Sequence, residues 1–226
     1  MGKTLFVGGV VALTTIDYPG HLATVVFFQG CNWRCCYCHN KHLQTILPTE
    51  SLPWEDVLNM LRARKGFVEA VVFGGGEPLV QSCLLEAVDE VKRMGFKVGV
   101  HTSGAYPSRF AQILPFVDWV GFDVKYAFSN YEEITCTKGS GQAALDSLNA
   151  LVASGVSFEA RMTVYEKMKM DIIIAALKEI AELGVKAVVL QKCRDREENI
   201  VEHPIFSDKL LLEEVAKYFE SFHVRG

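Results

Sequence analysis

"ATVVFFQGCNWRCCYCHN", residues 23–40, decides how the rest of the chain is read. Its opening eight residues are apolar almost throughout, as in a strand buried inside a parallel sheet. The strand runs without a break into a loop that carries four of the chain's seven cysteines. A strand that ends in chemistry-bearing side chains belongs to an α/β sheet whose reactive groups gather at the carboxyl ends of the strands.

Further along, the same unit recurs. "EAVVFGGG" (69–76), "FKVGVHTSG" (96–104), "VDWVGFDVK" (117–125), "VSFEARMTV" (156–164) and "VKAVVLQ" (185–191) read as five more strands. Helical spacing follows each of them. Trp54, Val57, Leu58 and Leu61 form one apolar face after the cysteine loop, and Leu84, Leu85, Val88 and Val91 form the next, closed by Gly95. Pro107 opens a short helix that Pro115 ends. Leu145, Leu148, Leu151 and Val152 mark a helix closed near Gly155, and Ile173, Ala176, Leu177 and Ile180 one stopped at Gly184. Ser207 is positioned to cap a last helix running through Leu211, Val215, Tyr218 and Phe222. Six strand-helix units over residues 24–226 form a parallel sheet with helices outside it, either an incomplete barrel or an open doubly wound sheet. Residues 1–23 add an N-terminal strand, and the whole of 1–226 reads as one domain.

The 226 residues are 50% hydrophobic and 22% charged, enough to bury a sizeable core. A formal charge of −4 with a single short basic run, "RARK" at 62–65, gives no footprint for nucleic acid. No apolar run is long enough to span a bilayer, and the N-terminus lacks a small-residue cleavage site, so the expected location is the cytoplasm. In a reducing compartment clustered thiols point to metal or redox work rather than to disulfides.

Cys31, Cys35 and Cys38 are spaced C-x3-C-x2-C. A structural zinc site could add His39 or Cys36, but no second separated ligand pair follows. Iron-sulfur clusters take four thiolates as a rule, so three leave one iron open to a substrate ligand. Cys36 stays a neighbour, and Cys83, Cys136 and Cys193 fit buried small hydrophobes. The other strand ends suggest what the ligand is. "GGGEP" (74–78) lacks the Lys-Ser/Thr ending of a phosphate loop, but its glycines admit a ligand close to the backbone and Glu77 can accept from an ammonium group. Asp123 and Lys125 share one strand face and can meet the two charges of a zwitterion or, equally, pair with each other. Arg161, inside an apolar strand, requires an anionic partner such as a carboxylate.

Cys31, Cys35, Tyr37 and Cys38 together with "GGGEP" resemble the radical S-adenosylmethionine enzymes. Within them the chain looks like the anaerobic ribonucleoside-triphosphate reductase activating proteins and, more broadly, the glycyl-radical-enzyme activases. "IDYPGHLATVVFFQGCNWRCCYCHN" (16–40), "VVFGGGEPLVQ" (71–81), "HTSG" (101–104), "FDVK" (122–125), "YEEIT" (131–135) and "FEARMTV" (158–164) fall in that family's order. The resemblance implies a partial (β/α)6 barrel and a [4Fe-4S] cluster on Cys31, Cys35 and Cys38, which act through the cluster. It also implies S-adenosylmethionine held by Gly75, Gly76 and Glu77 at its amino group. Ser103, Asp123, Lys125 and Arg161 would meet its carboxylate or ribose, with Tyr37 near the adenine. The implied activity is reductive cleavage to a 5'-deoxyadenosyl radical that abstracts hydrogen from a glycine of a partner enzyme, anaerobic ribonucleotide reductase first among them. Flavodoxin or ferredoxin would be the electron donor. Cys136 stands where relatives tend to have glycine, and Ser103 replaces a frequent asparagine. The alternatives are a radical enzyme acting on a small molecule, such as a deazapurine precursor, and a non-catalytic metal-binding module.

Overall fold

The computed structural model describes residues 4–48, 50–195, 197 and 199–226; the first three residues of the N-terminal extension lie outside them. Eight strands form one sheet in sequential order: β1 (Val7–Thr14), β2 (Ala23–Phe28), β3 (Ala70–Gly75), β4 (Lys97–Thr102), β5 (Trp119–Asp123), β6 (Ser157–Val164), β7 (Ala187–Lys192) and β8 (Ser221–Arg225). β1 runs antiparallel to β2, and every later pair is parallel. The helices are α1 (Trp54–Ala63), α2 (Leu84–Arg93), α3 (Pro107–Ile113), α4 (Tyr131–Thr135), α5 (Ser140–Ser154), α6 (Met170–Glu182) and α7 (Lys209–Ala216). The sheet is open, with β1 and β8 at its two edges. This is the expected α/β architecture of a partial barrel.

Alternation along the strands separates two environments. Val26, Phe28, Val71, Phe73, Val98, Val100, Val120, Phe122, Ala160, Met162, Val188 and Leu190 point outward and join the helices' apolar faces in one large core. On the inner face, Ala23, Val25, Ala70, Val72 and Trp119 gather round Tyr18, which the loop between β1 and β2 inserts from below. The curl of the sheet is what lets one side chain meet residues from strands three apart. From β4 onward the inner positions also carry polar side chains: His101, Asp123, Glu159, Arg161, Thr163 and Gln191.

The chain's end departs from the sequence reading. α7 stops at Ala216 and is capped by Asp208, whose carboxylate accepts from Leu211 N at 3.0 Å; Ser207 is not the cap. Tyr218 and Phe222 lie beyond the helix, and Phe222 belongs to β8, which pairs with β7. The i, i+4 spacing of these aromatics mimicked a continuing helix, whereas Phe222 and Val224 in fact alternate along a five-residue edge strand.

Candidate functional site

The cysteine loop leaves β2 through Gly30, whose φ of 104° only glycine adopts without strain. Backbone bonds fix both ends of the loop: Gly30 N donates to Leu43 O at 2.7 Å and Cys31 N to Gln44 O at 3.3 Å. Its middle is tied to α4, because Arg34 N donates to Thr135 O and Cys36 N to Ile134 O, both at 2.9 Å. Trp33 is buried and meets the Tyr131 ring edge-on, with centroids 5.7 Å apart. Cys31, Cys35 and Cys38 are half-buried and free, while Cys36 is exposed. They share one loop, in which Cys38 N donates to Cys35 O at 3.1 Å, yet among the described residues no three His, Cys, Asp or Glu side chains converge on a single-ion site. Burial, reinforced by nearby Glu77, pushes the Cys31 thiol up to about 12. Burial likewise raises Cys35 to about 11, against the pull of the Lys125 cation. Such thiols keep their protons until a metal displaces them.

"GGGEP" lies against this loop. Gly76 N donates to Phe28 O at 3.0 Å and Glu77 N to Gly30 O at 2.8 Å. A Cβ on Gly75 would stand 2.2 Å from Phe28 O, and one on Gly76 would stand 2.4 Å from Gly30 O. The close approach these glycines permit is therefore to the chain's own backbone at the exit of β2. Glu77 follows, fully buried, and its carboxylate is a hub. Oε1 accepts from Thr102 Oγ1 at 2.6 Å and Leu79 N at 3.1 Å; Oε2 accepts from Ser103 Oγ at 2.7 Å and Ser103 N at 3.0 Å. Burial raises its pKa and the four bonds pull it down, leaving it above the ordinary range. Ser103 thus reaches the site through Glu77, to which both its hydroxyl and its amide are committed.

At the end of β5, Lys125 Nζ donates to Asp123 Oδ2 at 2.8 Å, so the two charges pair with each other. Burial alone would raise the Asp123 pKa, but the Lys125 and Arg161 cations hold it below the ordinary range. Burial alone would lower Lys125, and its pairing with Asp123 holds it well above the lysine range instead. Arg161 sits lower, on the inner face. Its Nε donates to Glu159 Oε1 at 2.7 Å, so the carboxylate the sequence demanded lies two residues away on the same strand face. The guanidinium then crosses β5 beside Gly121, where a Cβ would come within 2.8 Å of Cζ, and lies 5.1 Å from the Trp119 ring centroid. His101 Nε2 stands 3.1 Å from Arg161 Nη1 and 2.8 Å from Asp17 O. A neutral imidazole nitrogen can accept from the first or donate to the second, not both.

Among the described residues, three buried side-chain polar atoms have no hydrogen-bond partner: Asn32 Oδ1, Tyr37 Oη and Arg161 Nη2. Two belong to the cysteine loop. Each would cost about 1–3 kcal/mol if left unmet, which fits a loop shaped to receive a further polar group. Tyr37 packs on Tyr165 at the end of β6, with centroids 5.8 Å apart. The structure thus brings Cys31 to Glu77, and Cys35 and Tyr37 to the Asp123–Lys125 pair, while Arg161 lies below them. Asn32, Thr102, His101 and Tyr131 were given no role from the sequence, although the stretches 23–40, 101–104 and 131–135 contain them.

The family described as Radical SAM superfamily matches residues 25–180. A Methanocaldococcus jannaschii protein named as a candidate glycyl-radical enzyme activating enzyme is 31% identical over 169 residues, covering 72% of this chain and 69% of its own length. The pyruvate formate-lyase-activating enzyme of Clostridium pasteurianum is 30% identical over 161 residues, covering 69% of this chain and 66% of its own. Among solved structures, Streptococcus suis SuiB bound to S-adenosylmethionine superposes with a TM-score of 0.68 over 88% of this chain at 13% identity, a likeness of fold. The chain spans about half of that structure, 48%.

Proposed function

The chain belongs to the radical SAM superfamily, and we propose that it is an activating enzyme which generates a glycyl radical on a partner, anaerobic ribonucleotide reductase or a close relative. The observation that carries this reading is the loop itself: three half-buried thiols in one loop at the end of β2, backed by Glu77, with two unmet buried polar atoms beside them. A relative named as a glycyl-radical enzyme activating enzyme supports a partner of that class, and another is named for activating pyruvate formate-lyase.

Cys31, Cys35 and Cys38 would hold a [4Fe-4S] cluster. With S-adenosylmethionine bound, that cluster supplies one-electron cleavage of a sulfonium carbon-sulfur bond, chemistry no side chain offers. The chain's own part is binding and exclusion. Gly75, Gly76 and Glu77 would receive the amino group of the methionine moiety. Asp123 and Lys125 would exchange their mutual pair for ligand charges, Arg161 would add a hydrogen bond to carboxylate or ribose through its unpaired Nη2, Ser103 would join it by releasing Glu77, and Tyr37 would border the adenine. The outer apolar core shuts the helical side of the sheet to water, leaving the strand ends as the entrance. Electrons would come from a flavodoxin or ferredoxin. Among the described residues no helix is long and apolar enough to cross a membrane, and we place the activity in the cytoplasm.

Anaerobic reconstitution with iron and sulfide, followed by dithionite and S-adenosylmethionine, tests the reading. The expected result is 5'-deoxyadenosine, with a glycyl doublet in the paramagnetic spectrum once the correct partner is added. A protein that takes up one tetrahedral ion and no sulfide would overturn it. Turnover of a small molecule without any protein partner would move the substrate assignment and leave the radical chemistry standing.

A further inference from the structure

We propose that α4, the "YEEIT" segment, is a clamp that sets the cysteine loop against the end of β5, with Tyr131 as its positioning residue. Tyr131 is fully buried and works in two directions. Its hydroxyl accepts from Lys125 N at 2.9 Å and lies 3.3 Å from Asp123 O, to which it donates, so one oxygen grips the backbone on both sides of Val124. Its ring meets Trp33 of the cysteine loop edge-on and stacks on Phe128 at 5.6 Å.

The rest of the helix completes the grip. Thr135 O and Ile134 O receive the amides of Arg34 and Cys36, which flank Cys35. Those two carbonyls are available because they sit in the last turn of a short helix, where carbonyls lack intrahelical partners. Thr135 Oγ1 is tied in turn to Tyr131 O at 3.1 Å and to Ser140 Oγ at 2.6 Å, which anchors the end of α4 to the start of α5. The loop is thereby connected to the helix and the strand end through one aromatic side chain, although it lies far from both in sequence. Without that connection the thiols could keep their local turn and still lose their position relative to Asp123 and Lys125.

This inference rests on the cluster reading for its purpose but not for its test. The experiment uses the full chain without metal and follows alkylation of each cysteine by mass spectrometry. Removing the clamp in Tyr131→Leu frees the loop, and Tyr131→Phe, which keeps the ring, loosens only the β5 attachment. The expected result is alkylation of Cys31, Cys35 and Cys38 roughly tenfold faster in Tyr131→Leu and roughly threefold faster in Tyr131→Phe, as for a locally opened segment. Buried Cys83, at the start of α2 and away from α4, should keep its parental rate in both. If Tyr131→Leu fails to fold, Tyr131→Phe decides alone. Rates for the three loop thiols equal to the parent in Tyr131→Phe, or rising together with Cys83, overturn the clamp. Failure of the parent to take up iron and sulfide would sink the functional reading while leaving the alkylation result intact.

Discussion

Replacing Glu77 with glutamine should destabilise the chain by an amount that its hydrogen bonds allow to be worked out. The carboxylate accepts from two hydroxyls, Thr102 and Ser103, and from two backbone amides, Leu79 and Ser103, one of each at either oxygen. A hydroxyl can turn and accept instead; a backbone N–H cannot. Glutamine supplies one oxygen and one NH2, so in either orientation one backbone amide faces a donor inside a buried site. Leaving that amide unmet costs about 1–3 kcal/mol, and loss of charge assistance in the remaining bonds adds to this, while the easier burial of a neutral amide offsets part of it. The expected net loss is about 2 kcal/mol for Glu77→Gln and about 4 kcal/mol for Glu77→Ala, which strands all four donors. Urea unfolding of the metal-free protein, followed by fluorescence of its three tryptophans, should show the Gln variant's midpoint lower by roughly 1 M. A Gln variant that unfolds at the parent's midpoint would refute the reasoning, since it would mean that the hub contributes nothing beyond filling space.

Gly75→Ala should lower the melting temperature by roughly 10 °C, because the side chain meets Phe28 backbone atoms and a φ of 121° together, about 4 kcal/mol in all. Calorimetry showing a change under 2 °C, by the same scaling, would exclude that packing. Cys136→Gly should stabilise by about 1 kcal/mol, since Cys136 holds a φ of 50° at the end of α4, a left-handed position that suits glycine. A chemical denaturation midpoint that does not rise would count against this. His101 provides a pH prediction. Burial, with the Arg161 cation second, lowers its pKa from 6.5 to about 4, against the opposing pull of Asp17 and Asp123. The folded chain therefore binds this proton less readily than the unfolded one. Its contribution is complete above about pH 6.5 and is lost as the pH falls towards 4, by about 3 kcal/mol in total. Urea midpoints measured from pH 7 to pH 4.5 should fall more steeply for the parent than for His101→Asn, and equal slopes would rule out His101 as the source.

The six parallel strands after the N-terminal one were legible because each apolar run is bounded by turn residues and followed by a helical face. β8 was not. Five residues are too few to establish a period of two, and no Gly or Pro separates Phe222 from Tyr218. The cysteine loop was legible because its thiols, Cys31, Cys35, Cys36 and Cys38, fall within one short stretch. The Glu77 hub was hidden because Thr102 and Ser103 come from another strand, and only the register of β3 on β4 brings them together. Arg161 illustrates a different limit. Its partner Glu159 was visible at i−2 on the same face, but a strand pattern says nothing about which of two carboxylates, the chain's or a ligand's, a guanidinium will take.

Gly121, Arg161 and His101 share one small space. The arginine crosses its neighbouring strand over a residue with no side chain, and a methyl group at 121 would stand 2.8 Å from the guanidinium carbon and 2.9 Å from His101 Cδ2, so the guanidinium's free end and the imidazole would both have to give way. Filling position 121 is therefore a matter for three residues rather than one, an inheritance rule written by a few tenths of a nanometre of empty space.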